Sequence, residues 1–81
     1  MESLPNVGKV LAENLRVVGI GTPEQLRAIG AKDAFLRIRA SVDPGACLHM
    51  LYGLQGAVEG VRDTLLPPET KEDLRSFFRA L

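Results

Sequence analysis

The sequence predicts an all-α domain of five helices packed round a central one. Apolar residues recur with helical period along most of the chain. Proline, glycine and small polar residues punctuate that pattern where helices start and stop, and no stretch alternates with the period-2 spacing of a strand. With 81 residues there is room for one domain and a modest core, so residues 1–81 are taken as a single unit.

The first helix is placed over Val7–Val18. Val7, Val10, Leu11, Leu15 and Val18 share its inner face, and Gly19 stops it where a left-handed residue is needed. Gly21-Thr22-Pro23-Glu24-Gln25 marks the second start: Thr22 caps, Pro23 suits the first position, and Gln25 completes a capping box. That helix is short, turning Leu26 and Ile29 inward and closing near Gly30. The third spans Ala31–Ser41, with Ala34, Phe35, Ile38 and Val42 as its buried stripe. Asp43-Pro44 predicts the start of the fourth and central helix, which extends to Arg62. Its apolar face is Cys47, Met50, Leu51, Leu54, Ala57, Val58 and Val61. Leu65-Leu66-Pro67-Pro68 breaks the chain. A fifth helix then runs to the end, turning Leu74, Phe77, Phe78 and Leu81 inward. Its early Glu69, Glu72 and Asp73 and late Arg75 and Arg79 complement the helix dipole.

Opposite the apolar face of the fourth helix lie Gly45, His49, Gly53, Gly56 and Gly60. Each glycine inside a helix costs up to about 1 kcal/mol relative to alanine, so such a stripe predicts a close backbone approach by another helix or a second subunit. His49, Tyr52, Gly53, Gly56 and Gly60 are therefore the candidate interface residues. The Gly56–Gly60 spacing is familiar from membrane helices, but charged flanks and the lack of a long apolar run exclude a membrane span.

Ten Lys and Arg balance ten Asp and Glu. Nonspecific nucleic-acid binding leans on excess basic charge, so this balance leaves room only for weak DNA contact. The charge is uneven, however. Residues 1–42 carry a net +2 and residues 43–81 a net −2, which suits a preferred face or head-to-tail self-association. Asn6-Val7-Gly8-Lys9-Val10-Leu11-Ala12 is similar to a helix-hairpin-helix pattern, in which backbone N–H groups at a helix start hold a phosphate. Asn6 stands where that pattern has its first glycine, and asparagine tolerates left-handed geometry. Gly19-Ile20-Gly21 is a second such hairpin, with Gln25 where a small residue belongs. Gly8, Lys9, Arg16, Gly19, Gly21, Arg27, Arg37 and Arg39 are the candidate nucleic-acid contacts. The competing reading is a pair of tight turns and a solvated charged face.

Catalysis is not expected. There is one histidine and one cysteine, and no nucleophile–base–acid set, phosphate loop or hydrolase motif. Cys47 and His49, two apart on a helix, point apart, so no metal is expected, nor any cofactor or small-molecule substrate. Cys47 reads as a core thiol and Tyr52 as half-buried. One cysteine and no amino-terminal leader suit the cytoplasm.

Taken in order, these segments resemble the C-terminal domain of the TfoX (Sxy) family of competence regulators. The residues that carry the resemblance are Leu4-Pro5-Asn6-Val7-Gly8-Lys9 with Leu15, Val18-Gly19-Ile20, Thr22-Pro23-Glu24-Gln25-Leu26, Gly30-Ala31, Ala34-Phe35-Leu36-Arg37-Ile38, Cys47-Leu48, Leu51-Tyr52-Gly53-Leu54-Gln55-Gly56-Ala57 and Leu66-Pro67-Pro68. The resemblance implies a helix-hairpin-helix-like or SAM-like arrangement and a link to regulation of DNA uptake. Full-length members, which act at promoters with a catabolite-activator-type transcription factor, carry a further N-terminal α/β domain that this chain is not expected to contain. Two functional readings stay open: a regulatory module touching DNA weakly, or one that binds a protein partner or a second copy of itself.

Overall fold

The computed structural model describes residues 1–81. Five α-helices follow one another: α1 (Lys9–Val17), α2 (Pro23–Ile29), α3 (Ala31–Ser41), α4 (Leu48–Glu59) and α5 (Pro68–Arg79), with a 3₁₀ turn at Asp63–Leu65 before α5. There is no strand.

Local sequence explains most of these boundaries. Thr22 caps α2, and its hydroxyl accepts from the Gln25 N–H at 3.1 Å while the Gln25 side chain reaches back, closing the expected box. Gly19, at φ 86°, ends α1 with the Gly19 N–H donating to the Arg16 carbonyl and the Ile20 N–H to the Leu15 carbonyl. This paired closure brings the two fully buried side chains Leu15 and Ile20 together after the turn.

The fourth helix departs from expectation at both ends. Asp43 does not cap it: its carboxylate accepts from the Gly45 N–H at 3.0 Å, two residues on, and so is spent on a turn. Buried Ala46 pins that turn to the core, and the helix begins after Cys47. At the other end Gly60, at φ 78°, terminates α4, with the Val61 N–H donating back to Gly56. Gly60 is thus a terminator rather than a packing residue, and Val61–Arg62 lie beyond the helix.

The core is formed by Leu15, Ile20, Leu26, Phe35, Ile38, Leu51, Leu54 and Leu74, all essentially inaccessible. Phe78 meets Phe35 edge-on at 6.0 Å between ring centres. No polar or charged residue is buried, and no buried side-chain nitrogen or oxygen lacks a partner. The shortened α4 is still the hub, packing on α2, α3, α5 and the 3₁₀ turn. By contrast, α1 packs on α3 and makes no close backbone approach to α4.

Three inward assignments fail. Val10 is 76% exposed and Leu81 46% exposed, and Cys47 is exposed rather than a core thiol. The physical reason is shared: each sits at or beyond a helix end, where no neighbouring element crosses to cover it.

Candidate functional site: the cleft between α1 and α4

The glycine stripe of α4 is covered, and its cover comes from the chain itself. Asn6 sits in left-handed geometry at φ 67°, and its side chain lies across α4. Its Nδ2 donates to the Gly53 carbonyl at 3.3 Å and to the Val61 carbonyl at 3.0 Å, while its Oδ1 accepts from the Asp63 N–H at 3.1 Å. One side chain thus ties the amino-terminal segment to α4 and to the turn that follows it. A Cβ at position 56 would sit 2.5 Å from Asn6 Nδ2 and 2.6 Å from the Val61 carbonyl oxygen. A Cβ at position 53 would meet Asn6 Cβ at 3.4 Å. The predicted close approach therefore exists, and the group that approaches Gly53 and Gly56, both buried, is the chain's own Asn6. Gly45 lies in the turn before α4, outside the stripe. Tyr52 is half-buried toward α5, its hydroxyl accepting from Arg75 at 3.2 Å.

Because Asn6 spans the gap that α1 does not close, a cleft of about 400 Å³ remains beside it. Val10, Leu11 and Asn14 form the α1 wall, and Cys47, His49, Met50 and Gly53 the α4 wall, with Asp63 and Thr64 at one end. His49 Nε2 stands 3.7 Å from Asp63, with the imidazole 83% exposed. Val17 continues the exposed apolar line of α1 two turns beyond Val10.

The nucleic-acid candidates are only partly brought together. Lys9, Arg16 and Gly21 line a shallow groove of about 700 Å³ with Met1, Glu2, Ser3, Val10, Ala12 and Glu13. Gly8 caps α1 without a side-chain bond, and the Lys9, Val10 and Leu11 N–H groups have no protein acceptor. At the second hairpin Gln25 Oε1 accepts from the Gly21 N–H at 2.6 Å and the Thr22 N–H at 3.1 Å. Arg16 is engaged by Glu13, whose carboxyl is held below the usual range by that hydrogen bond, and Arg27 stands 3.9 Å from Glu24. Gly19 is the helix terminator described above. Arg37 and Arg39 lie on α3, do not line that groove, and form no ion pair.

A third concavity, at the amino ends of α3 and α5, is acidic, with Asp33, Glu59, Glu69 and Asp73 round Lys32. Lys32 bonds Asp73 at 2.8 Å and lies 5.2 Å from the Phe77 ring centre, tying α3 to α5. Nowhere are three His, Cys, Asp or Glu side chains grouped to hold a metal ion, and no helix is long and apolar enough to cross a membrane. Sequence reasoning missed the cleft. Its one legible signal was Asn6 in a glycine position, which pointed to backbone geometry and not to the side chain's targets.

The fold recurs in solved structures. Two crystal structures from Listeria monocytogenes, a triclinic form of an uncharacterized protein and a tetragonal form of a protein of unknown function, superpose with TM-scores of 0.95. The triclinic form is 43% identical, with 98% of this chain and 89% of that one covered. The tetragonal form is 42% identical, with 99% and 98% covered. Protein Sxy of Escherichia coli (strain K12) is 31% identical over 81 residues, which is all of this chain but 38% of Sxy. The model of the TfoX C-terminal domain matches residues 1–78. With nearly its whole length matched, the chain belongs to the TfoX C-terminal domain family.

Proposed function

We propose that this domain is a non-catalytic regulatory module, related to competence regulators and working in the cytoplasm, that acts by binding protein through the α1–α4 cleft. The observation that carries this reading is the uncovered apolar lip of that cleft. Val10, 76% exposed, faces a wall holding Met50 and Cys47 in a domain whose remaining large side chains are mostly packed. Electrostatics lend less to a nucleic-acid role: the net charge is zero, Gln25 occupies the Gly21 and Thr22 N–H groups of the second hairpin, and acidic neighbours engage Arg16 and Arg27.

A photo-crosslinking amino acid at position 10, expressed in the native host, tests it. The expected result is one discrete protein adduct, lost when Met50→Glu is added and absent when the probe stands at Glu24. Adducts to nucleic acid alone, or none, overturn it.

A second reading, weak DNA contact, is favoured by Lys9, Arg16 and Gly21 lining one groove beside unpartnered α1 N–H groups. It expects salt-sensitive amide shifts at Gly8, Lys9 and Gly21 when duplex or single-stranded DNA is titrated at low salt. Unmoved resonances there remove it.

A further inference from the structure

We infer that the outward face of α1, with the lip of the α1–α4 cleft, is a two-fold contact between copies of this chain. The inference rests on the protein-binding reading above and names its partner.

Five large apolar side chains stand exposed: Val10, Val17, Leu36, Leu65 and Leu81. The last three lie on separate elements, α3, the 3₁₀ turn and the residues after α5, whereas Val10 and Val17 share α1. Seven residues make almost two turns. The two valines therefore point the same way to within about 20° and stand about 10 Å apart along the axis. Between them, Asn14 lies to the cleft side of their line, and Glu13 and Arg16 lie to the other.

This face carries its own complement. Two copies of α1 laid antiparallel, about a two-fold axis midway between Val10 and Val17, set Val10 of each against Val17 of the other. The same axis brings each side of the face against itself. On the cleft side Asn14 meets Asn14. No side-chain hydrogen bond within the chain engages it. Two carboxamides pair reciprocally, the N–H of each donating to the oxygen of the other. On the far side Arg16 and Glu13, bonded at 2.9 Å within a copy, meet the same pair reversed, so each carboxylate gains a second guanidinium. Val10 is also the lip of the cleft, so Val17 of the second copy stands at its mouth, opposite Met50. A foreign partner would have to supply this apolar, amide and ion-pair pattern; a second copy supplies it by symmetry. Nine residues of helix offer about 13 Å of length. The contact accordingly belongs to the small class, below about 1,200 Å² in total, which gives weak and transient complexes of the kind a photo-crosslinker captures.

Disulfide trapping tests the geometry, using the 81-residue chain with Cys47→Ser. Val10→Cys and Val17→Cys chains, one of them ¹⁵N-labelled, are mixed in equal amounts and mildly oxidised. We expect the mixed disulfide to exceed either like pair by roughly tenfold, because like positions stand too far apart to bridge, whereas chance pairing gives about twofold. A chance ratio, or a majority of like pairs, overturns the inference. In the chain without added cysteines, amide shifts at Val10, Asn14 and Val17 should move with concentration while Glu24 stays fixed, and Val17→Glu should abolish the movement. Shifts that ignore concentration overturn it too. In the native host, the position-10 adduct should have the mass of two chains. An adduct with a different protein, with chance pairing in the disulfide mixture, removes the second copy and leaves the protein-binding reading standing; no protein adduct removes that reading itself.

Discussion

Two polar devices of similar size hold the turns of this domain, and they differ in reach. The Thr22–Gln25 box joins residues three and four apart on an exposed edge. The Asn6 clamp joins residues 47, 55 and 57 apart in a half-buried setting. Each makes three hydrogen bonds. The box sets where one helix begins; the clamp sets how the amino-terminal segment, α4 and the following turn sit together. A local hydrogen bond in water replaces a solvent bond at little net gain, whereas a half-buried one leaves its partners unsatisfied if removed. The clamp should therefore matter more, although both read as loop chemistry in the sequence.

The largest effect that tests this contrast is at Gly56. Gly56→Val should abolish folding, and Gly56→Ala should cost about 2–3 kcal/mol, since its Cβ meets backbone that cannot yield. Urea unfolding measures it, and a cost below that of a lost helix cap would break the account of a closed stripe.

Next is Asn6→Ala, expected to lose about 2–3 kcal/mol by orphaning the Asp63 N–H and straining a left-handed residue. Asn6→Gly relieves the strain but not the lost bonds, so it should be milder than Asn6→Ala by about 1 kcal/mol. Equal losses would mean that the side-chain bonds alone matter.

Thr22→Ala should cost about 1 kcal/mol, and adding Gln25→Ala less than its separate effect, because the two side chains cap the same end. Chemical denaturation of the single and double variants checks the non-additivity.

The smallest effect is electrostatic. The hydrogen bond from Arg75 holds the Glu72 carboxyl below its ordinary value, as that from Arg16 does Glu13. A depressed carboxylate stabilises the fold above its unfolded value and loses that contribution as pH falls through the folded one. Both pairs are open to solvent and screened by it, so Glu72→Gln should flatten the acid limb of the stability profile slightly and leave neutral pH almost unchanged. A marked loss at neutral pH would contradict the contrast between surface and clamp.

Particular residues show how far the site was legible. Gly53 and Gly56 announced a close approach because helical glycine carries a cost that something must offset. That the approaching group is Asn6 was not legible, since nothing local links residues 47 or more apart. Val10 was misplaced for the complementary reason. Its spacing is that of an inward residue, but whether an inward residue is covered depends on a neighbour, and α1 leans on α3 instead of α4. Asp43-Pro44 had the composition of a helix start, yet the carboxylate found a nearer donor in Gly45. Lys9, Arg16 and Gly21 were candidates for one surface and do line one groove, though the same groove admits Glu2 and Glu13.

The sequence by itself determined the all-helical class, the boundaries of α2 and α3, the terminating role of Gly19, and which residues form most of the core. These follow from interactions within one or two helical turns and from apolar periodicity. Only the tertiary structure decided the ends of α4, the burial of its glycine face beneath Asn6, and the cleft left open beside Val10. Those depend on which segments meet across the fold, and a contact between residues far apart in the chain leaves no periodic trace in either segment.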